Sequence, residues 1–152
     1  MPGLVSNLEK HTMTDLKEYQ KKAALISSMF SMVRADAADE LMEIQGQLRC
    51  NLMAIRENNA VMDGVTELLG RAVYYSASKI NHSCDPNAIA FFGVEQKKDP
   101  TLLRIRTTRE VAAGKQVCIS YGLLASKHAL SRRNEMNEKY FFLCHCEACQ
   151  KR

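Results

Sequence analysis

The 152-residue sequence has no apolar run as long as a membrane-spanning helix, which takes about 20 residues. Its polar N-terminal residues also lack the apolar core of a secretory signal peptide. No internal repeat, low-complexity tract or linker interrupts the chain. These absences argue against a membrane-bound, secreted or repeat protein. They predict a protein of the cytoplasm, the nucleus or both, with room for a single good core.

The charge balance predicts little about partners. Lysine and arginine number 21 against 17 aspartate and glutamate residues, giving a net charge of +4, and the basic residues are scattered along the chain. Such a balance permits an acidic partner, but it does not concentrate charge as a nucleic-acid surface does. We therefore expect no direct binding of nucleic acid.

Six cysteines are present in a chain without a secretory signal. In a reducing compartment such thiols bind metal or lie buried, and a disulfide framework is the weaker interpretation.

Two helices are predicted in the first third of the chain. Apolar residues spaced by three and four indicate one helical face that packs on a core, and they are Leu16, Tyr19, Ala23, Ile26, Phe30 and Val33. Thr12 or Thr14 can cap its start, with Asp15 in the first turn. A second helix, starting near Asp36 or Asp39, carries Leu41, Ile44 and Leu48.

Short strands and irregular loops are predicted after residue 50. The strand candidates are 51–55, 88–94, 102–107 and 116–121, the loop and turn candidates are 57–64, 97–101 and 112–115, and a charged helix with one solvated side is expected over 126–139. In the last strand we expect Val117, Ile119 and Tyr121 to share one face. This order predicts an α+β fold rather than repeated β-α-β units.

The segment "CHCEAC" places Cys144, Cys146 and Cys149 close enough to converge on one ion. Zinc sites usually take four ligands in a tetrahedron, so a fourth ligand is expected from elsewhere. The candidates are Cys50, Cys84, Cys118, His145 and the remaining histidines. Spacing alone slightly favours Cys84, since it sits in the irregular segment "NHSCDPN", residues 81–87, beside a proline.

Three motifs in order resemble one known family. "NHSCDPN", then "GKQVCISY" and "YFFLCHCEAC", are similar to the C-terminal half of a SET domain with its post-SET cysteines, closest to the SET-and-MYND subfamily of protein lysine methyltransferases. The resemblance is good over residues 48–150 and looser before. It implies a partial SET domain over 1–143, made of a helical insert (1–48) and a core (49–143), followed by a zinc-binding post-SET segment (144–152).

The resemblance also implies residue roles. Asn81, His82, Phe142 and Asn51 would contact the methyl donor S-adenosylmethionine, and Tyr121 would be the active-site tyrosine. Cys84 would join Cys144, Cys146 and Cys149 around zinc. The partner would be a protein substrate with a target lysine, histone or non-histone. Without the motif order, Tyr121, His82 and Phe142 would each be interpreted as packing residues.

The 152 residues contain no Gly-x-Gly segment of the kind that opens a SET domain, and no MYND-type cysteine and histidine cluster. Two functions are therefore expected from the sequence. The first is a lysine methyltransferase seen as a fragment that is inactive by itself. The second is a non-catalytic, zinc-stapled module that binds another protein.

Overall fold

The computed structural model describes residues 3–30, 37–56, 68–92, 101–122 and 128–150. The chain divides into two compact units, Met1–Asn51 and Leu52–Arg152. The first contains helices α1 (Met13–Met29) and α2 (Ala38–Asn51). The described part of the second contains short strands and two further α-helices. This mixture of helices and short strands is consistent with the α+β class and with a SET-type fold.

Helix α1 begins at a reciprocal cap. The Thr12 hydroxyl accepts a hydrogen bond from the Asp15 backbone N–H at 3.1 Å, and the Asp15 carboxylate accepts one from the Thr12 N–H at 3.2 Å. Each bond satisfies a donor that the first turn of a helix leaves open. Of the two candidate caps, the structure therefore selects Thr12.

The predicted apolar face of α1 is confirmed over most of its length. Tyr19 and Ala23 are buried, and Leu16 and Ile26 are half-buried. Phe30 was expected on the same face, and this is wrong: its side chain is 57% exposed. The helix ends at Met29 and Phe30 has extended dihedral angles, so its ring leaves the helical stripe. Val33 lies outside the described residues.

The N-terminal segment packs closely on α2. The amide of Gln47 donates to the Leu4 carbonyl at 3.2 Å, and that of Asn51 donates to the Val5 carbonyl at 3.0 Å. Gly46 makes this approach possible, because a Cβ there would stand only 2.8 Å from a methyl carbon of Leu8. The second predicted helix is confirmed, and it extends to Asn51.

Six short strands form three pairs in the described part of the second unit. β1 (Leu52–Arg56) pairs with β2 (Leu68–Val73), and β4 (Ala88–Phe92) pairs with β5 (Leu103–Thr107), both antiparallel. β3 (Asn81–His82) pairs with β6 (Cys118–Ile119) in parallel. The predicted loop 57–64 and nearly all of the predicted turn 97–101 lie outside the described residues.

The strand expected over 116–121 is much shorter than predicted. A turn at Gly114, whose φ is +82°, precedes it, and regular pairing is confined to Cys118 and Ile119. Val117 is 38% exposed whereas Ile119 is 2% exposed, so the expected common face does not form at Val117. With only two paired residues, no pleat is long enough to impose alternation on its neighbours.

Helix α3 (Ala129–Tyr140) follows, with His128 as its cap, and α4 (Glu147–Gln150) ends the described chain. The start predicted for α3 at Ser126 lies outside the described residues. Among the helices of the described ranges, none is long and apolar enough to cross a membrane.

Candidate metal and cofactor site

Four cysteine thiols meet in the second unit. The sulfurs of Cys84, Cys144, Cys146 and Cys149 all lie within 4.8 Å of one another. Cys84 Sγ is 3.9 Å from Cys144 Sγ and 3.5 Å from Cys149 Sγ, although about sixty residues separate them along the chain. Of the alternatives for the fourth position, Cys84 is the one that joins the C-x-C-x-x-C cysteines in this cluster.

These distances fit a tetrahedral zinc site. With Zn–S bonds of about 2.3 Å, neighbouring sulfurs of a tetrahedron stand roughly 3.8 Å apart. The observed 3.5 Å and 3.9 Å bracket that value, and all four cysteines are free thiols. Four converging sulfurs that are not joined as disulfides are the donor set that structural zinc prefers. The cysteine cluster is therefore chemically suited to zinc.

The protein environment shifts the pKa of Cys146 in the opposite direction to that of Cys84 and Cys144. Burial raises the pKa of both Cys84 and Cys144. Burial acts in the same direction on Cys146, but hydrogen bonds outweigh it, above all that from the Cys84 N–H at 3.4 Å, and lower the pKa of Cys146 to about 6. The lowered pKa favours the thiolate form of Cys146, and thiolate is the form that binds metal.

The segment 81–87 is held on the second unit by backbone pairing and by Asn87. The Ser83 N–H donates to the Ile119 carbonyl at 3.0 Å. The Asn87 side chain donates to the Gln116 carbonyl at 2.9 Å and accepts from the Cys118 N–H at 2.8 Å. These bonds fix both ends of the segment against β6, so Cys84 is presented to the cluster from a defined position.

His82 connects the cysteine cluster to Tyr121. Its Nδ1 accepts a hydrogen bond from the Tyr121 backbone N–H at 3.1 Å, which assigns the ring proton of the neutral imidazole to Nε2. Nε2 lies 3.3 Å from Cys84 Sγ and so donates to it. Burial lowers the pKa of His82, which favours this neutral form. His82 is therefore oriented from both sides.

Two aromatic side chains lie beside this histidine, and a third packs on one of them. The ring centroid of Tyr121 is 5.2 Å from that of His82. The ring centroid of Phe142 is 6.2 Å from that of His82. Tyr140 lies 4.9 Å from Tyr121. The structure thus places Tyr121, His82 and Phe142 near one another. Their roles toward a cofactor and a substrate stay predictions. Tyr140 was missed, although it stands two residues before Phe142 in the same motif.

The hydroxyl of Tyr121 has a defined direction. It donates to the Ile80 carbonyl at 2.6 Å, and burial raises the pKa of Tyr121, so the phenol stays protonated. Since its one proton is used, the remaining lone pairs of the oxygen can act only as acceptors.

The other two predicted cofactor residues differ in setting. Asn81 is exposed, and its amide donates to the Gln116 side chain at 3.2 Å. Asn51 is buried in the first unit, where it bonds to the carbonyls of Val5 and Gln47. Near the aromatic group, a cavity of about 400 Å³ is lined by Tyr74, Tyr75, Ser76, Ala77, Ile80, Leu103 and Ile105.

A family model described as "SET domain" matches residues 5–122. The match covers well over half of the chain, so the chain belongs to the SET domain family. It includes the segment 81–87 and Tyr121 and ends before the C-x-C-x-x-C cysteines.

The relatives indicate the subfamily. The chain is 35% identical to Histone-lysine N-methyltransferase SMYD3 of Mus musculus, over 97% of this chain and 32% of that protein. It is 28% identical to Protein-lysine N-methyltransferase SMYD4 of Danio rerio, over 80% of this chain and 19% of that protein. It is 30% identical to N-lysine methyltransferase SMYD2 of Homo sapiens, over 73% of this chain and 23% of that protein. The chain thus spans a third or less of the length of these SET-and-MYND relatives. The resemblance drawn from its motifs is confirmed.

Proposed function

We propose that this chain supplies the cofactor loop (residues 81–87), the active-site tyrosine and the zinc site of an S-adenosylmethionine-dependent protein lysine methyltransferase. The observation that carries the proposal is the link from Cys84 through His82 to Tyr121. One histidine joins the metal cluster to the tyrosine, so the two motifs act as one site. The named activities of the relatives support the same reaction class.

The proposed domain organisation follows the motifs. A partial SET domain covers 1–143, with a helical insert over 1–48 and a core over 49–143. A post-SET segment, 144–152, provides Cys144, Cys146 and Cys149, and Cys84 completes the zinc ligands.

The predicted cofactor residues fit S-adenosylmethionine by their chemistry. Phe142 is half-buried and offers a ring face of the kind on which an adenine stacks. Asn81, the residue before His82, presents an exposed amide, and His82 is fixed by its two hydrogen bonds. Asn51 is assigned to the same cofactor by family resemblance. When bound, S-adenosylmethionine supplies an electrophilic methyl group on a sulfonium sulfur.

The residues around Tyr121 would prepare a lysine side chain to receive that methyl group. A free lysine, with a pKa of about 10.4, is almost entirely protonated at neutral pH, and only the neutral amine is a nucleophile. Tyr121 and Tyr140 form a partly buried aromatic wall, and such a setting disfavours a charged ammonium group. The Tyr121 oxygen, whose proton is donated to Ile80, would accept an N–H of the amine and align its lone pair.

The partner is thus a protein substrate bearing the target lysine, and the site of action is the cytoplasm, the nucleus or both. A second candidate function is a non-catalytic module stapled by zinc that binds another protein. It is favoured by one observation, the lack of a Gly-x-Gly segment in these 152 residues.

Methyl transfer tests the first function. The assay uses this chain joined to the Gly-x-Gly strands of a SET-and-MYND relative, with radiolabelled methyl donor and a lysine-containing protein substrate. Tyr121→Phe removes one hydroxyl and keeps the ring, so its effect should fall mainly on turnover. Asn81→Ala should first weaken cofactor binding.

Zinc content is measured in both variants, so that unfolding is not mistaken for lost chemistry. A Tyr121→Phe protein with full zinc content and undiminished turnover would refute the catalytic role of Tyr121.

A further inference from the structure

We propose that Arg132 is the charged outer partner of the cysteine cluster and that it increases the affinity of the cluster for zinc. The inference rests on the zinc site of the proposed function and is independent of methyl transfer. Sequence analysis placed this residue on a charged, partly solvated helix and gave it no role.

Arg132, the fourth residue of α3, is buried, with 4% of its surface exposed, although the other face of this helix is solvated. An arginine in such a position is destabilising unless its charge and its N–H groups are matched by partners. One turn later on the same face stands Met136, which is fully buried and packs with Cys84 and Cys144. The helix therefore directs the guanidinium toward the cysteine cluster.

The contacts of the guanidinium reach the ligand segment itself. Its Nη2 donates to the Ala148 carbonyl at 2.7 Å and lies 3.7 Å from Cys149 Sγ. The first bond holds the α4 backbone at Ala148, next to the predicted ligand Cys149. The second contact places the positively charged guanidinium beside the sulfur of Cys149. Both N–H groups of this nitrogen are thus directed at acceptors, and the planar guanidinium fixes their directions.

A zinc-loaded cysteine cluster would carry negative charge that the Arg132 guanidinium can offset. Four thiolates around a divalent ion leave a net charge of roughly −2 in a partly buried place. Two neutral donors already face the sulfurs, the Cys84 N–H at 3.4 Å from Cys146 Sγ and the His82 imidazole at 3.3 Å from Cys84 Sγ. Arg132 adds a full positive charge, which stabilises the thiolate form of the ligands and hence the bound ion.

Competition for zinc against a chromophoric chelator, with the full 152-residue chain, tests the proposal. Arg132→Met keeps the aliphatic stem and removes the charge, and zinc affinity should fall by about 10–100-fold. Arg132→Gln keeps a hydrogen-bond donor without the charge, and its zinc affinity should fall by a similar factor. Arg132→Lys keeps the charge, and its zinc affinity should fall less.

Lys139→Met is the matched control, because it removes one positive charge from the same helix at an exposed position paired with Glu135. Its zinc affinity should stay within about twofold of the unchanged chain, as exposed charges are largely screened.

A folded Arg132→Met chain that binds zinc as tightly as the unchanged chain would overturn the proposal. If that variant does not fold, the Gln and Lys variants decide: equal affinities for these two would show that charge has no part in binding. Failure to transfer methyl groups would refute the proposed function only. The zinc affinities of the Arg132 variants test the role of Arg132 independently of that result.

Discussion

Replacing Cys84 by serine removes one corner of the proposed zinc tetrahedron. Cys84 is 2% exposed and packs with Met136 and Cys144, so the change places a hydroxyl among three sulfurs in the interior. Serine oxygen is a much poorer zinc ligand than a thiolate. We therefore expect the Cys84→Ser chain to lose its zinc.

The size of the effect follows from linkage between metal binding and folding. Zinc at 100 times its dissociation constant stabilises a folded protein that binds it by about 2.7 kcal/mol. For a unit of the size of Leu52–Arg152, this corresponds to a shift in Tm of roughly 10–20 °C. Removal of zinc by a chelator should thus lower the Tm of the unchanged chain by that amount and leave the Tm of Cys84→Ser where it is.

The assay is thermal unfolding with and without chelator, together with elemental analysis of zinc. Comparing each chain with itself cancels the cost of the buried hydroxyl, which is present in both conditions. Cys50→Ser and Cys118→Ser are the controls, and both should keep zinc and the full response to chelator. Equal zinc content and an equal chelator response in Cys84→Ser would refute the proposed ligand set.

Two further predictions concern the cofactor and the first unit. Calorimetry on the 152-residue chain alone should show weak or no binding of S-adenosylmethionine, because its sequence contains no Gly-x-Gly segment. Tight binding with methyl transfer would contradict this. Thr12→Ala should destabilise the first unit by about 1 kcal/mol in urea unfolding at pH 7, since it removes the cap of α1, whereas Thr14→Ala should cost less. The hydrogen bond from Thr12 is the main cause that lowers the pKa of Asp15. The stability contributed by the ionised Asp15 carboxylate is therefore present above its unfolded pKa of about 3.9, and it is lost as the pH falls through the lower folded pKa. The Thr12→Ala chain should therefore show a shallower loss of stability in acid, and an unchanged acid profile would refute the cap.

Local patterns predicted the parts of the site that local chemistry determines. The C-x-C-x-x-C spacing identified three cysteines that the structure places together. For the start of α1 the sequence left Thr12 and Thr14 as candidate caps, and the structure selects Thr12. The choice of Cys84 was harder. About sixty residues lie between it and the other sulfurs, and no spacing rule fixes how a chain closes over that length.

The residues that were missed or misplaced depend on packing between distant segments. Arg132 lies on a helix rich in charge, and only its contacts with α4 show that it is buried. Tyr140 carries no signal of its own beyond its place before Phe142, and its role follows from the distance to Tyr121. The pairing of β3 with β6 covers only two residues and is accompanied by the bonds of Asn87 to Gln116 and Cys118, so no alternating pattern in the sequence marks it.

Zinc K-edge X-ray absorption of the purified chain is the most direct test of the proposed zinc site. It shows whether one zinc ion is bound by four thiolates, from Cys84 of the cofactor loop and from the three cysteines of the post-SET segment. The predicted result is one zinc per chain with four sulfur neighbours at about 2.3 Å. In Cys84→Ser the same spectrum should lose its zinc signal. A purified chain without zinc, or a zinc with two or more nitrogen or oxygen neighbours in place of sulfur, would contradict the site.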